Sequence, residues 1–211
     1  MVARLHKVLT YAKKRMMSIY NKDEVVVFNT YQCYLKNILS SITQDLEQAH
    51  RENFYFGAKL VRGAYMDQER EMANVMSYED PIHINYEATT NTVHTVISTC
   101  LGKMRDIEDS GQNDKKVQVM VASHNEDTIR YTLDQMDVLG IDSDMKTVSF
   151  AQLYGMSCDH VTFPLGAAGY LVYKYVPYGP VLQVLPYLSR RVTENGSMLD
   201  SLDTEKNFLR W

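Results

Sequence analysis

The chain has 211 residues, 45% of them hydrophobic, which is enough for one domain with a real core and excludes a disordered composition. A formal charge of −4 and a pI near 5.9 give no overall basic field, so nucleic acid is not the partner that charge suggests and small-molecule chemistry is the default. No stretch approaches the roughly 18 consecutive apolar residues of a membrane helix, so any membrane contact is expected to be peripheral.

In chain order, Arg4, Lys7, Lys13, Lys14, Arg15 and Lys22 come before any acid, as in a mitochondrial presequence. Val2, Leu5, Val8, Leu9 and Ala12 nevertheless repeat at helical spacing, and the segment 2–14 reads as an amphipathic helix of the domain. β-Branched runs at 25–29, 59–61, 117–121, 146–150 and 171–175 predict strands, and their nearly continuous apolar character suits a parallel sheet buried on both faces. Helices are predicted at 31–50, 84–109, 126–139 and 180–194, the first led by Tyr34, Leu35, Ile38, Leu39 and Ile42 at spacings of three and four. Ser123-His124-Asn125 follows a strand and can cap the next helix, and Pro180 stands where a helix can begin without its N–H.

Alternation of this kind means α/β, and no repeat or linker divides residues 1–211, which read as a single domain. No Gly-x-Gly-x-x-Gly sequence follows a strand, which argues against a dinucleotide-binding doubly wound sheet. Polar residues gather instead after several different strands, as in a barrel enzyme. Cys33, Cys100 and Cys158 are far apart and lack metal-ligand spacing, so buried thiols in a reducing compartment are expected.

Three clusters carry potential chemistry. In Lys59-Leu60-Val61-Arg62-Gly63-Ala64-Tyr65, two cations flank an apolar pair and Gly63-Ala64 would let a flat ligand approach the backbone, although a strand-ending Arg-Gly is common without any function. Ala122-Ser123-His124-Asn125 follows a strand, and a lone histidine there is more often structural than catalytic. Tyr187-Leu188-Ser189-Arg190-Arg191-Val192-Thr193-Glu194-Asn195 reads as a helix whose adjacent arginines point about 100° apart. They could clamp a carboxylate, with Glu194 bracing Arg190 from four residues on; the bland reading is a solvated charged face.

The segments FNTYQCYL (28–35), KLVRGAYM (59–66), VMVASHNEDTI (119–129), FAQLYGM (150–156) and YVPYGPVLQVLPYLSRRVTEN (175–195) resemble, in order and spacing, the signatures of the eukaryotic mitochondrial type of proline dehydrogenase. That resemblance implies a (βα)8 TIM-barrel fold with FAD over the carboxyl ends of the strands, here strands four to eight and the final helix. It implies that Arg190 and Arg191 bind the substrate carboxylate with Glu194 in support, and that Leu60, Tyr65, Tyr175 and Tyr187 wall the proline ring. Asn29, Arg62, Gly63, Ala64, Ser123, His124 and Asn125 match flavin contacts, Gln152 and Leu153 line the site nearby, and Thr89 reaches toward the adenosine. Lys59 stands where bacterial members carry arginine, keeping the charge but not the fork. With Arg190 and Arg191 it would serve catalysis, a hydride passing from the proline carbon next to nitrogen to the flavin and giving pyrroline-5-carboxylate. The family further implies ubiquinone as electron acceptor and the matrix side of the mitochondrial inner membrane as location. Relatives that prefer hydroxyproline have a smaller residue at Tyr175, so L-proline is the first choice of substrate.

A barrel usually takes about 250 residues. This chain passes from the helix at 2–14 into the strand at 25–29 without the family's intervening strand, its aspartate, or the strand-one lysine. An N-terminally truncated or internally deleted barrel is therefore expected, with two open sheet edges. Two functions stay open: a flavin-dependent proline dehydrogenase, or a catalytically impaired isoform that only binds flavin or a partner.

Overall fold

The computed structural model describes residues 2–63, 65–111, 116–155 and 159–194, with side chains described only between 9 and 191. Five strands, β1 (Asn29–Gln32), β2 (Phe56–Val61), β3 (Val117–Ala122), β4 (Val148–Leu153) and β5 (Leu171–Tyr175), form one sheet in sequential order. Every neighbouring pair is parallel. Helix α1 (Val2–Tyr20) precedes β1, and α2 (Ile38–Glu52), α3 (Met66–Met76), α4 (Tyr86–Asp109), α5 (Glu126–Leu139), α6 (Asp159–Ala167) and α7 (Val181–Glu194) follow in turn, with α3 and α4 both between β2 and β3. This is the expected α/β architecture, a run of consecutive barrel-type units with β1 and β5 as its edges.

Strand alternation divides the sheet into two faces. Tyr31, Phe56, Ala58, Leu60, Val117, Val119, Val121, Val148 and Phe150 share one face by register and join Ile42, Leu46, Val96, Ile97 and Leu101 of α2 and α4 in a single buried core. Each such side chain contributes about 1.5–3 kcal/mol by leaving water, which makes this layer the main source of stability. The opposite face carries Thr30, Gln32, Lys59, Met120, Ser149, Ala151, Leu153, Tyr173 and Tyr175.

The first predicted strand, 25–29, is displaced to Asn29–Gln32. The cause is Asn21, fully buried, whose Oδ1 accepts from the backbone N–H groups of Val26 and Val27 while its Nδ2 donates to the carbonyls of Val27 and Tyr55. These bonds occupy the backbone groups that a ladder would use. The chain there also crosses Gly57 so closely that an added Cβ would lie 2.5 Å from Val25 Cγ1 and 2.6 Å from the Val27 carbonyl oxygen. The helix predicted at 31–50 accordingly begins only at Ile38, since Tyr31 and Gln32 belong to the sheet.

The strand predicted at 146–150 runs instead from Val148 to Leu153, because Lys146 ends a short 3-10 turn at φ 57° and its Nζ donates to the Gly169 carbonyl. Helices α3 and α6 were not anticipated; α6 is short and contains Pro164. The helix predicted at 2–14 extends to Tyr20. It is tied to the core by Met17, which is 1% exposed, and by an ion pair from Lys14 to the buried Asp45 of α2, whose other oxygen accepts from the Tyr31 hydroxyl at 2.7 Å. Cys33 and Cys100 are buried free thiols, both pushed up by burial, Cys33 to about 12; Cys158 lies outside the described residues.

Candidate functional site

The carboxyl ends of the strands collect two groups of side chains. In the first, Lys59 rises from β2 on the open face and its Nζ lies 6.0 Å from the ring centroid of Tyr175 at the end of β5. Burial, and next the charge of Lys13, lower the Lys59 pKa, and among the described residues it has neither a hydrogen bond nor an ion pair. Tyr175 and Tyr187 of α7 pack with centroids 6.0 Å apart at 55°. Burial first, then Tyr175, raises the Tyr187 pKa, so its phenol stays neutral. Arg191 lies one residue-step further round α7 than Arg190, and its guanidinium carbon is 5.2 Å from the Tyr65 ring and 5.5 Å from that of Tyr187. Arg191 is 8% exposed whereas Arg190 is exposed. The two arginines that looked equivalent in the sequence are therefore not: one is clasped between aromatic faces, the other is turned to solvent.

An open cleft of about 240 Å³ adjoins this cluster, lined by Tyr175, Val176, Pro177, Tyr178, Gln183, Val184 and Tyr187. Two cations among tyrosine rings can hold a small anion and shield it with apolar ring surface. Leu60 does not join them; it is 2% exposed on the helix-covered face. The Glu194 side chain and Ala64 lie outside the described residues.

The second group centres on Arg62. Its Nη2 donates to Thr90 Oγ1 at 2.8 Å and its Nη1 to Thr128 Oγ1 at 3.2 Å, while the guanidinium stacks 4.4 Å from the Tyr86 ring centroid. Asn125 Oδ1 accepts from the Thr128 backbone N–H at 2.8 Å and from its hydroxyl at 2.7 Å, capping α5, and its Nδ2 donates to the Tyr86 hydroxyl at 2.7 Å. A cation that, among the described residues, is hydrogen-bonded by hydroxyls and stacked on a ring at the start of two helices, with Asp127 acting on it only through space, can still meet an anion.

His124 Nε2 accepts from the Leu153 backbone N–H at 3.1 Å, which joins the ends of β3 and β4. Burial, and next the Lys174 cation, push its pKa down to about 4, so the ring is neutral with its proton on Nδ1. Ser123 is buried and its hydroxyl accepts from the Asn125 N–H. Thr89 is buried in the first turn of α4, its hydroxyl donating to the Asn85 carbonyl. Gln152 points to the helix-covered side, where its Oε1 accepts from Thr162 of α6 and from Lys174.

Asn29 is buried at the amino end of β1, about 10 Å of strand from the carboxyl edge. Gly63 has its space taken by protein, because a Cβ would meet Tyr34 Cδ1 at 2.2 Å, so this glycine serves the packing of Tyr34. Sequence reasoning missed Gln32. It ends β1 on the same face as Lys59, is 6% exposed, and its buried Oε1 has no hydrogen-bond partner. Its place as the last polar residue of a strand was the available signal, hidden by the displaced strand. An orphaned amide oxygen, an unpaired lysine and a ring-stacked arginine together fit a large ligand with both donor groups and negative charge, as a flavin dinucleotide has.

Consecutive parallel βα units with a cationic, aromatic cluster at their carboxyl ends define a barrel-type enzyme scaffold. The chain belongs to the proline dehydrogenase family, whose family model matches residues 2–204. It is 54% identical to proline dehydrogenase 1, mitochondrial, of Drosophila melanogaster over 194 residues, covering 92% of this chain and 28% of that protein. The Homo sapiens protein of the same name is 50% identical over 92% of this chain and 31% of its own length. The hydroxyproline dehydrogenase of Xenopus laevis is 46% identical over 98% of this chain and 43% of that protein. Among solved structures, proline utilization A from Bdellovibrio bacteriovorus, inactivated by N-propargylglycine, superposes with a TM-score of 0.75 at 22% identity, over 86% of this chain and 18% of that one, a likeness of fold. The chain thus spans less than a third of the length of the two proline dehydrogenases.

Proposed function

We propose that this chain carries a substrate- and flavin-contacting part of a mitochondrial, FAD-dependent L-proline dehydrogenase that forms pyrroline-5-carboxylate and passes electrons to ubiquinone at the inner membrane. The observation that carries the reading is the clasp of Arg191 between Tyr65 and Tyr187 beside Tyr175 and Lys59. A guanidinium fixed by two rings presents its fork to a carboxylate without first losing side-chain freedom. Tyr175 and Tyr187 offer a tilted aromatic wall to a saturated ring, and the bulk of Tyr175 favours proline over its hydroxylated analogue. Lys59, partly desolvated, stabilises negative charge arriving near the end of β2. Bound FAD would supply the hydride acceptor. Gln32, Arg62, Asn125 and the neutral His124 are the residues that would hold it, together with Ser123, Thr89, Leu153 and the segment at Gly63, while Gln152 braces β4 against α6 from the opposite face.

The test is direct. The purified chain, supplied with FAD, should turn yellow, and anaerobic L-proline should bleach it. A chain that binds flavin but is not bleached would support the impaired, flavin-binding isoform instead, and a colourless chain would refute the flavin reading.

A further inference from the structure

We infer that Tyr86, which no family motif above includes, is a positioning residue that sets both Arg62 and Asn125 for the anionic part of the cofactor; this rests on the flavin reading just given. One side chain serves two partners: the ring face lies 4.4 Å from the Arg62 guanidinium and the hydroxyl accepts from Asn125 Nδ2 at 2.7 Å. Arg62 in turn reaches Thr128, whose hydroxyl donates to Asn125 Oδ1, so the four residues close a ring of contacts between the exit of β2 and the first turns of α4 and α5. Within that ring Arg62 meets hydroxyls and an aromatic face and, among the described residues, forms no ion pair, the Asp127 carboxylate acting on it only through space. Thr90 and Thr128 fix two guanidinium nitrogens, and Tyr86 fixes the plane. Asn125 already spends its oxygen on the cap of α5, and its amide nitrogen is aimed by the Tyr86 hydroxyl.

The role is not one of core packing. Tyr86 is 64% exposed, and replacing it removes no buried contact layer. A residue of that kind is conspicuous for its two specific contacts rather than for its burial.

The experiment compares FAD affinity, by quenching of flavin fluorescence, and the melting temperature of the FAD-free chain for wild type, Tyr86→Phe and Tyr86→Leu. Tyr86→Phe keeps the ring under Arg62 and loses only the neutral hydrogen bond, so its Kd should rise about fivefold. Tyr86→Leu also loses the stacking, and its Kd should rise about twentyfold, while both FAD-free variants melt within about 2 °C of wild type. An unchanged Kd for Tyr86→Leu overturns the inference while leaving the flavin reading intact. A parallel fall in FAD-free melting temperature makes Tyr86 a fold residue and also overturns it. A wild-type chain that binds no FAD ends both readings.

Discussion

Replacing Arg191 by Met while leaving Arg190 in place, and the reverse, separates two residues that adjacent sequence positions leave indistinguishable. Methionine keeps most of the length and apolar volume of arginine and deletes the charge. Arg191 is 8% exposed and flanked by two tyrosine rings, so a carboxylate bound to it would sit in a partly desolvated pair. Truncating one partner of such a pair costs about 2–5 kcal/mol, which at 1.4 kcal/mol per decade weakens proline by at least about 30-fold. Arg190 is exposed, where an ion pair contributes about 0.2–1 kcal/mol, so Arg190→Met should weaken proline by less than about sixfold. The assay is the proline concentration that half-saturates anaerobic flavin bleaching, with added salt expected to erode the Arg190 effect more than the Arg191 effect. Equal losses in the two variants would refute the argument that burial, and not adjacency, selects the binding arginine.

The neutral His124 gives a pH signature. Its folded pKa of about 4 lies below the ordinary 6.5, so the unfolded chain binds more protons between these values, and stability falls as pH falls through that window. The change from pH 7 to 5 should be about 2 kcal/mol, seen as a lower melting temperature, and His124→Asn should flatten the dependence. Gly57→Ala should destabilise the chain by about 1–3 kcal/mol in urea unfolding, because the new methyl meets Val25 and the backbone of Val27; an unchanged midpoint would show that the crossing at Gly57 yields without cost.

Where local chemistry decides an element, the sequence was legible. Helix α5 has its predicted bounds, Glu126–Leu139, because Asn125 caps it and Gly140 ends it at φ 65°. Strand β1 was misplaced because its start is set by Asn21, a residue outside the apolar run whose partners include Tyr55, far along the chain. Leu60 and Lys59 are neighbours in sequence and lie on opposite faces, a matter of register that a motif does not display. Tyr86 left no signal at all: an exposed aromatic at the start of a helix is ordinary until Arg62 and Asn125 are seen to meet on it.

The two side-chain groups differ in what they demand of the fold. In a flat sheet β2 and β5 stand three strand spacings apart, about 14 Å. Lys59 Nζ lies 6.0 Å from the Tyr175 ring, so the sheet curls toward its open face and brings the side chains of β2 and β5 together. The Arg62 group needs no such curl, since β2, α4 and α5 are neighbours in the same stretch of the structure. Loosening the curl should therefore abolish the response to proline before it releases the flavin. In a series of low urea concentrations, bleaching by proline should be lost at a lower concentration than FAD fluorescence quenching. Simultaneous loss would mean that the two groups form one cooperative unit, and that the curvature is not what assembles the substrate cluster separately from the cofactor contacts.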